Sequence, residues 1–271
     1  MSYHPRNPVL TGTVNLYNIY FGKTYKLSSS TASTKSLVDY FSSNVGNSSW
    51  YKTVSSDYYQ VNADNTTTNA ANNLTFIKSI NVNSGLTATN NPVYLNNSII
   101  IGVIVNAFNT LRLPIDTNGV YAVIFRGDFT FNEPGLGGWL NGWCGYHSSF
   151  ILYDQRVIKF LVVGDINSAP DHNQLAFCAQ FTNGMYSVNG NAGADALINI
   201  YAHELVETIT NWDNAWYTDY PFEGGVEIAD RCNFDFGVDV SQVNWNIQVG
   251  EKKFLVQNIW RPGHGCVHSC C

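Results

Sequence analysis

The chain has 271 residues, long enough to bury a sizeable core, and it reads as one domain over 1–271. Charged residues make up 13% of it and the formal net charge is −6; the 14 Lys and Arg form no basic run, which argues against a nucleic-acid or anionic-membrane partner. Asn, Ser, Thr, Gly and Tyr are abundant instead, so solubility rests on hydroxyls and amides, a pattern that suits an extracellular protein.

Taken in chain order, the opening MSYHPRNPVLTG has no apolar core of a signal peptide, so an exported form is expected to be the mature one. Val14 to Phe21 (VNLYNIYF) is rich in β-branched and aromatic residues and closes at Gly22, which predicts a buried strand. A helix follows, with Ser33 or Thr34 as its cap and Leu37, Val38 and Phe41 on one face, then a second short helix over Trp50 to Tyr59. Residues 60–96 form a polar tract, broken by Leu74 to Ile77, that predicts an insertion or long surface loop. Asn97 to Leu113 is dense in apolar residues and predicts a buried helix; its longest apolar run, Ile99 to Val105, falls well short of the roughly 18 residues of a membrane span.

Gly119 to Phe131 alternates as a strand does, and Phe150 to Tyr153 with Val157 to Val163 predicts a hairpin. Between them, GLGGWLNGWCGYH (135–147) predicts a close-packed loop. Gly193 to Thr210 is a strong helix candidate with good formers throughout, and Lys253 to Trp260 predicts a final strand. The expected class is α/β or α+β, with a mixed sheet.

Chemistry concentrates on the predicted helix over 193–210. Leu197, Ile198, Ile200, Tyr201, Leu205, Val206 and Ile209 make it apolar nearly all round, so its charged residues need a reason. His203 and Glu207 stand four apart, one turn above the other, the spacing by which HExxH metalloproteases clasp zinc. Glutamate in place of the second histidine keeps an oxygen ligand at a bond length of about 2.0–2.2 Å, and the adjacent Glu204 is placed as general base. A hydrolytic site needs a third protein ligand; Glu227 ranks first, then Asp213, then His147, with Asp230 as an outer support for a ligating histidine. Glu223 adds to the local density of acids. An isolated HExxE is a weak pattern, and a calcium site built from Glu207, Glu227 and Asp230, or no metal at all, is the competing reading.

Six cysteines, Cys144, Cys178, Cys232, Cys266, Cys270 and Cys271, show no zinc-ribbon spacing and predict disulfides in an oxidising compartment. Asn47, Asn65, Asn73 and Asn96 each begin a glycosylation sequon. His4, His172, His264 and His268 read as surface histidines. Trp139, Trp143, Trp212 and Trp216 are candidates for stacking on wall polysaccharide, although such aromatics are more often core.

Several blocks together resemble the phosphate-induced protein 1, or EXORDIUM, family: PVLTGTVNLYNIYFG (8–22), NGVYAVIF (118–125), WCGYH (143–147), AHELVETITN with NAWY (202–217), EIADRC (227–232), and FLVQNIW with a following cysteine (254–266). They lie in family order, while residues 23–117 match loosely. The resemblance implies an extracellular or wall-associated protein linked to growth. It also implies that His203, Glu204, Glu207, Glu227 and Asp230 stand at family positions, which lowers Asp213. From the family's cysteine pattern it implies the pairs Cys144–Cys178 and Cys232–Cys266. Cys270 and Cys271 depart from that pattern and are left as candidates for a bond to another chain. The expectation is a secreted protein with a zincin-like active-site helix acting on a peptide or protein, or else a non-enzymatic wall or growth protein.

Overall fold

The structure, a computed structural model, describes residues 1–22, 29–83, 94–126, 129–133, 137–140, 142–168, 178–179, 187–218, 225–240 and 243–269. Along Thr13–Phe21 (β1), Val14, Leu16 and Tyr20 pack into one apolar cluster while Tyr17, Ile19 and Phe21 pack into another. A strand apolar on both sides must be covered on both sides, and here it lies inside a sheet. β1, Asn73–Val82 (β2), Gly119–Arg126 (β3), Gly145–Ile151 (β4) and Val157–Asp165 (β5) form five strands in the order β4-β5-β3-β1-β2. β1 is parallel to β2 and β3, and β3 to β5, whereas β4 returns antiparallel against β5 at the edge. The result is a mixed α/β domain with a mixed sheet.

Helices α1 (Ser29–Asn44), α2 (Ser49–Asp57) and α4 (Ala192–Asn211) cover one face of the sheet, where Val38, Phe41, Trp50, Leu197, Tyr201 and Leu205 meet Val14, Leu16, Val120 and Leu161. Helix α3 (Asn97–Leu111) covers the other with Ile100, Ile104 and Phe108. α4 is buried from Gly193 to Asn211, the condition its all-round apolarity predicted. Its first turn is capped by Asn191, whose side chain accepts from the Ala194 N–H at 3.1 Å.

Several elements differ from the sequence reading. Within the polar tract, Asn73–Val82 is a full strand that closes one edge of the sheet, and Tyr59–Val61 pairs with Thr67–Asn69; residues 84–93 lie outside the described residues. Helix α1 begins at Ser29, so Thr34 sits inside it, where its hydroxyl accepts from the amides of Asn167 and Asn191. Gly119 to Phe131 is two strands, Gly119–Arg126 and Thr130–Glu133. The glycine-tryptophan segment gives up Gly145 to His147 to β4. Lys253 to Trp260 is split: Lys252–Phe254 and Ile259–Arg261 are strands, and the stretch between them bonds instead to Asn246, Asn199 and Asp235.

The pairs Cys144–Cys178 and Cys232–Cys266 are disulfides, with Cα–Cα distances of 5.4 and 5.6 Å. Cys270, Cys271, His172 and Glu223 lie outside the described residues. Asn47, Asn65, Asn73 and Asn96 are all exposed, and the Asn96 side chain caps α3. No helix among the described residues is long and apolar enough to cross a membrane.

Candidate metal centre

Polar residues recur along α4 at intervals of four: Asn199, His203, Glu207 and Asn211. That spacing stacks them into one stripe. The stripe faces the segment 227–230 and Gln257, and each member has a partner there. Asn199 Oδ1 accepts from the Gln257 N–H at 2.7 Å. Glu207 Oε1 accepts from the backbone N–H groups of Ala229 and Asp230 at 3.1 and 3.0 Å. The Asn211 amide donates to Glu227 Oε1 and its own oxygen accepts from the Trp216 N–H. One step round the helix, Glu204 faces β4.

His203 is held in a defined state by Gln257. The Gln257 Nε2 donates to the Ala229 carbonyl at 2.7 Å, which fixes the amide so that its Oε1 faces His203 Nδ1 at 3.1 Å. Nδ1 must then carry a proton, and Nε2 is left facing Glu207 Oε2 at 3.2 Å and Asp230 Oδ1 at 3.3 Å. A lone pair aimed at two carboxylates is repulsive unless a proton or a cation sits between them. The opposite wall supplies His147, on β4. Its Nδ1 lies 3.2 Å from Glu204 Oε2 and 3.6 Å from Glu207 Oε2, and its Nε2 lies 3.3 Å from Glu227 Oε1.

Two sets of donor atoms each lie within 4.8 Å of one another: His203, Glu204 and Glu207, and His147, Glu207 and Glu227. Glu207 belongs to both. Two donors on one tetrahedral zinc, with bonds of about 2.0–2.2 Å, lie roughly 3.4 Å apart, so the 3.2–3.6 Å separations between histidine and carboxylate are compatible with a shared cation as well as with ion pairs. Of the residues singled out in the sequence, His203, Glu204, Glu207, Glu227, Asp230 and the lower-ranked His147 are thus brought together, although Glu227 is drawn to His147 and Asp230 to His203. Asp213 is exposed beyond the end of α4 and belongs to neither set. Gln257 and Asn211 were missed. Their signals were a glutamine inside the apolar run FLVQNIW and the fourth member of the helix stripe.

The electrostatics follow from burial. His203, Glu204 and Glu207 are 8, 5 and 2% exposed, and among the described residues the ion-pair partners of these carboxylates are the two histidines. Burial pushes the Glu207 carboxyl up to about 7, with Glu227 and Asp230 adding to the rise against the pull of His203. Burial disfavours charge on both imidazoles, yet the carboxylates around them win and hold His203 and His147 well above the usual range. Asp230 is held low, because the His203 bond and charge outweigh its own burial.

Each disulfide secures one wall. Cys144 precedes β4, and Cys232 follows the Glu227–Asp230 segment. Two cavities flank the cluster. One, of about 170 Å³, is lined by Trp143, Gly145, Ile200, His203, Glu204 and Phe234 among others; the second, of about 490 Å³, is lined by His147, Ser149, Trp212, Tyr217 and Glu227 among others. Trp139, Trp143 and Trp216 are buried core residues, which leaves Trp212 of the four tryptophans half-buried beside a cavity. His264 and His268 are exposed, but His4 is half-buried and stacks on Tyr217 at 3.6 Å.

The family description "Phosphate-induced protein 1 conserved region" matches residues 1–270. Protein EXORDIUM-like 5 of Arabidopsis thaliana is 27% identical over 186 residues, covering 59% of this chain and 49% of that protein. Protein EXORDIUM-like 3 of the same plant is 33% identical over 87 residues, covering 27% of this chain and 26% of that protein. The chain thus spans about half the length, or less, of the curated relatives it matches. No solved structure matches it.

Proposed function

The chain belongs to the phosphate-induced protein 1 family, and on that footing we propose that it is an extracellular, zinc-dependent hydrolase of peptide bonds. In this reading Glu207, common to both donor sets, would hold the ion with His203; Glu227, which lies against His147, would supply the third ligand after turning from that imidazole, with Asp230 supporting His203 and Glu204 as general base. One observation carries it: two imidazoles and three carboxylates that are wholly or partly buried converge with no Lys or Arg among their described ion-pair partners, beside a cavity that reaches His203 and Glu204. The carboxylates outnumber the imidazoles, so even with both histidines protonated the cluster keeps an excess of negative charge, which a divalent cation would offset.

Zinc would supply the acidity that brings a bound water towards a pKa of about 7. Glu204, which lines the cavity beside His203, would be the residue placed to accept a proton from a water held there. Gln257 keeps the His203 proton on Nδ1 and so would leave Nε2 available to an ion. Two disulfides and EXORDIUM-like relatives fit an extracellular location.

A second reading, in which the same cluster holds a structural ion such as calcium or none, is favoured by one contact. Glu207 Oε1 is taken up by two backbone N–H groups and so ties 229–230 to α4. Release of peptides from an unfolded protein, measured with the purified chain and with Glu204→Gln, separates the two. Hydrolysis lost in Glu204→Gln with metal retained is the expected result. A metal-loaded protein that cleaves nothing would overturn the hydrolase reading.

A further inference from the structure

The sheet ends in two edges, and they are treated differently. On β2, the register slips between Leu16 and Tyr17, leaving Ile77 as an extra residue followed by Lys78. A bulge and a charge are the ordinary means of stopping a foreign strand from pairing. β4, by contrast, pairs with β5 in unbroken register from Gly145–Val163 to Ile151–Val157. Its sequence, GYHSSFI, has no Lys, Arg, Asp, Glu or Pro. Among the described residues no strand pairs with its other side.

The direction of its outer backbone groups can be read from the hairpin. The Leu152 N–H donates to the Arg156 carbonyl at 2.9 Å, one step beyond the Ile151–Val157 pair. Hydrogen-bonded pairs alternate in an antiparallel ladder, so Phe150, Ser148 and Tyr146 also bond to β5. The N–H and C=O groups of Gly145, His147, Ser149 and Ile151 therefore face outward. The side chain of His147 belongs to the cluster. One cavity lies at the Gly145 end and the other at the Ser149 end.

We propose that β4 is a docking edge that takes an extended polypeptide as a sixth strand. The bound backbone pairs with Gly145, His147 and Ser149, and its alternate side chains enter the two cavities on either side of the cluster. The occupant is an unfolded or extended segment of another protein, because recognition is through the main chain. That such a segment is cut there rests on the hydrolase reading; that it binds there does not.

The test is binding of fluorescein-labelled, reduced and carboxymethylated casein, followed by anisotropy in a Glu204→Gln background so that the probe stays whole. Ser149→Pro removes an outward N–H that the β4–β5 ladder does not use, and edge strands tolerate proline. It should weaken binding about tenfold, whereas Ser149→Ala, which keeps the amide, stays within roughly twofold. Should Ser149→Pro fold poorly, amide hydrogen exchange on the Glu204→Gln protein gives the same answer. The probe should slow exchange at Gly145, His147 and Ser149 and leave Tyr146 and Ser148 unchanged. No binding, equal binding by Ser149→Pro, or protection elsewhere would overturn the proposal. So would a parent protein that is dimeric through this edge, since the occupant would then be a second copy. None of these readings depends on metal or turnover.

Discussion

At Gly145 a β-carbon would lie 2.6 Å from Ile200 Cγ2 and 2.9 Å from Glu204 Oε1. The absence of a side chain there is what lets β4 approach α4 closely enough for His147 to meet the glutamates. Gly145→Ala should cost about 1–3 kcal/mol in denaturant unfolding and displace Glu204. Gln257→Ala leaves His203 without its tautomer lock; metal affinity, measured against a competing chelator, should fall about 10–100-fold with the ligands intact. Asp165 is a separate case, buried at the end of β5 with its pKa pushed up to about 6 chiefly by burial. Because the folded value is raised, its stabilising contribution is complete below the unfolded value near 4 and is lost as pH rises through 6. Asp165→Asn should therefore gain on the parent between pH 4 and 6, by at most about 3 kcal/mol, in denaturant titrations across that range. At this scale the sequence was readable where spacing alone decides, as for His203 and Glu207. It was not readable where a partner comes from a distant segment, as for His147 with Glu227 or Gln257 with His203.

The elements explain why some of the chain could be read in advance. α4 is long, free of proline and flanked by a capping Asn191, so local signals agree along its whole length; Asn191→Ala should cost about 1 kcal/mol in thermal unfolding. β2 was mistaken for loop because an edge strand with half-buried residues on both faces shows no clean alternation. FLVQNIW was mistaken for one strand because its apolar residues are buried as a strand's are, while its backbone groups are taken by Asn246, Asn199 and Asp235 rather than by a neighbouring ladder. The Cys232–Cys266 bond holds the element that carries Glu227 and Asp230. Replacing both cysteines by serine should cost about 2–4 kcal/mol and loosen that wall.

The whole molecule is a sheet sandwiched between helices, with the cluster at the side where α4, β4 and the 227–230 segment converge. The family blocks visible in the sequence map onto these parts: WCGYH leads into β4, AHELVETITN is the second half of α4, and EIADRC is the opposing segment. The blocks named the walls but not their distances, because the clustered side chains are spread from His147 to Asp230, over eighty or so residues whose path only the fold fixes. If this convergence holds a cation, the ion is countable. Elemental analysis by inductively coupled plasma mass spectrometry of the natively purified protein, beside His203→Ala, tests it directly. About one equivalent of zinc per chain, lost in the variant, is the expected result. Carefully handled protein with no stoichiometric metal would contradict it, and calcium in place of zinc would move the site to the structural reading.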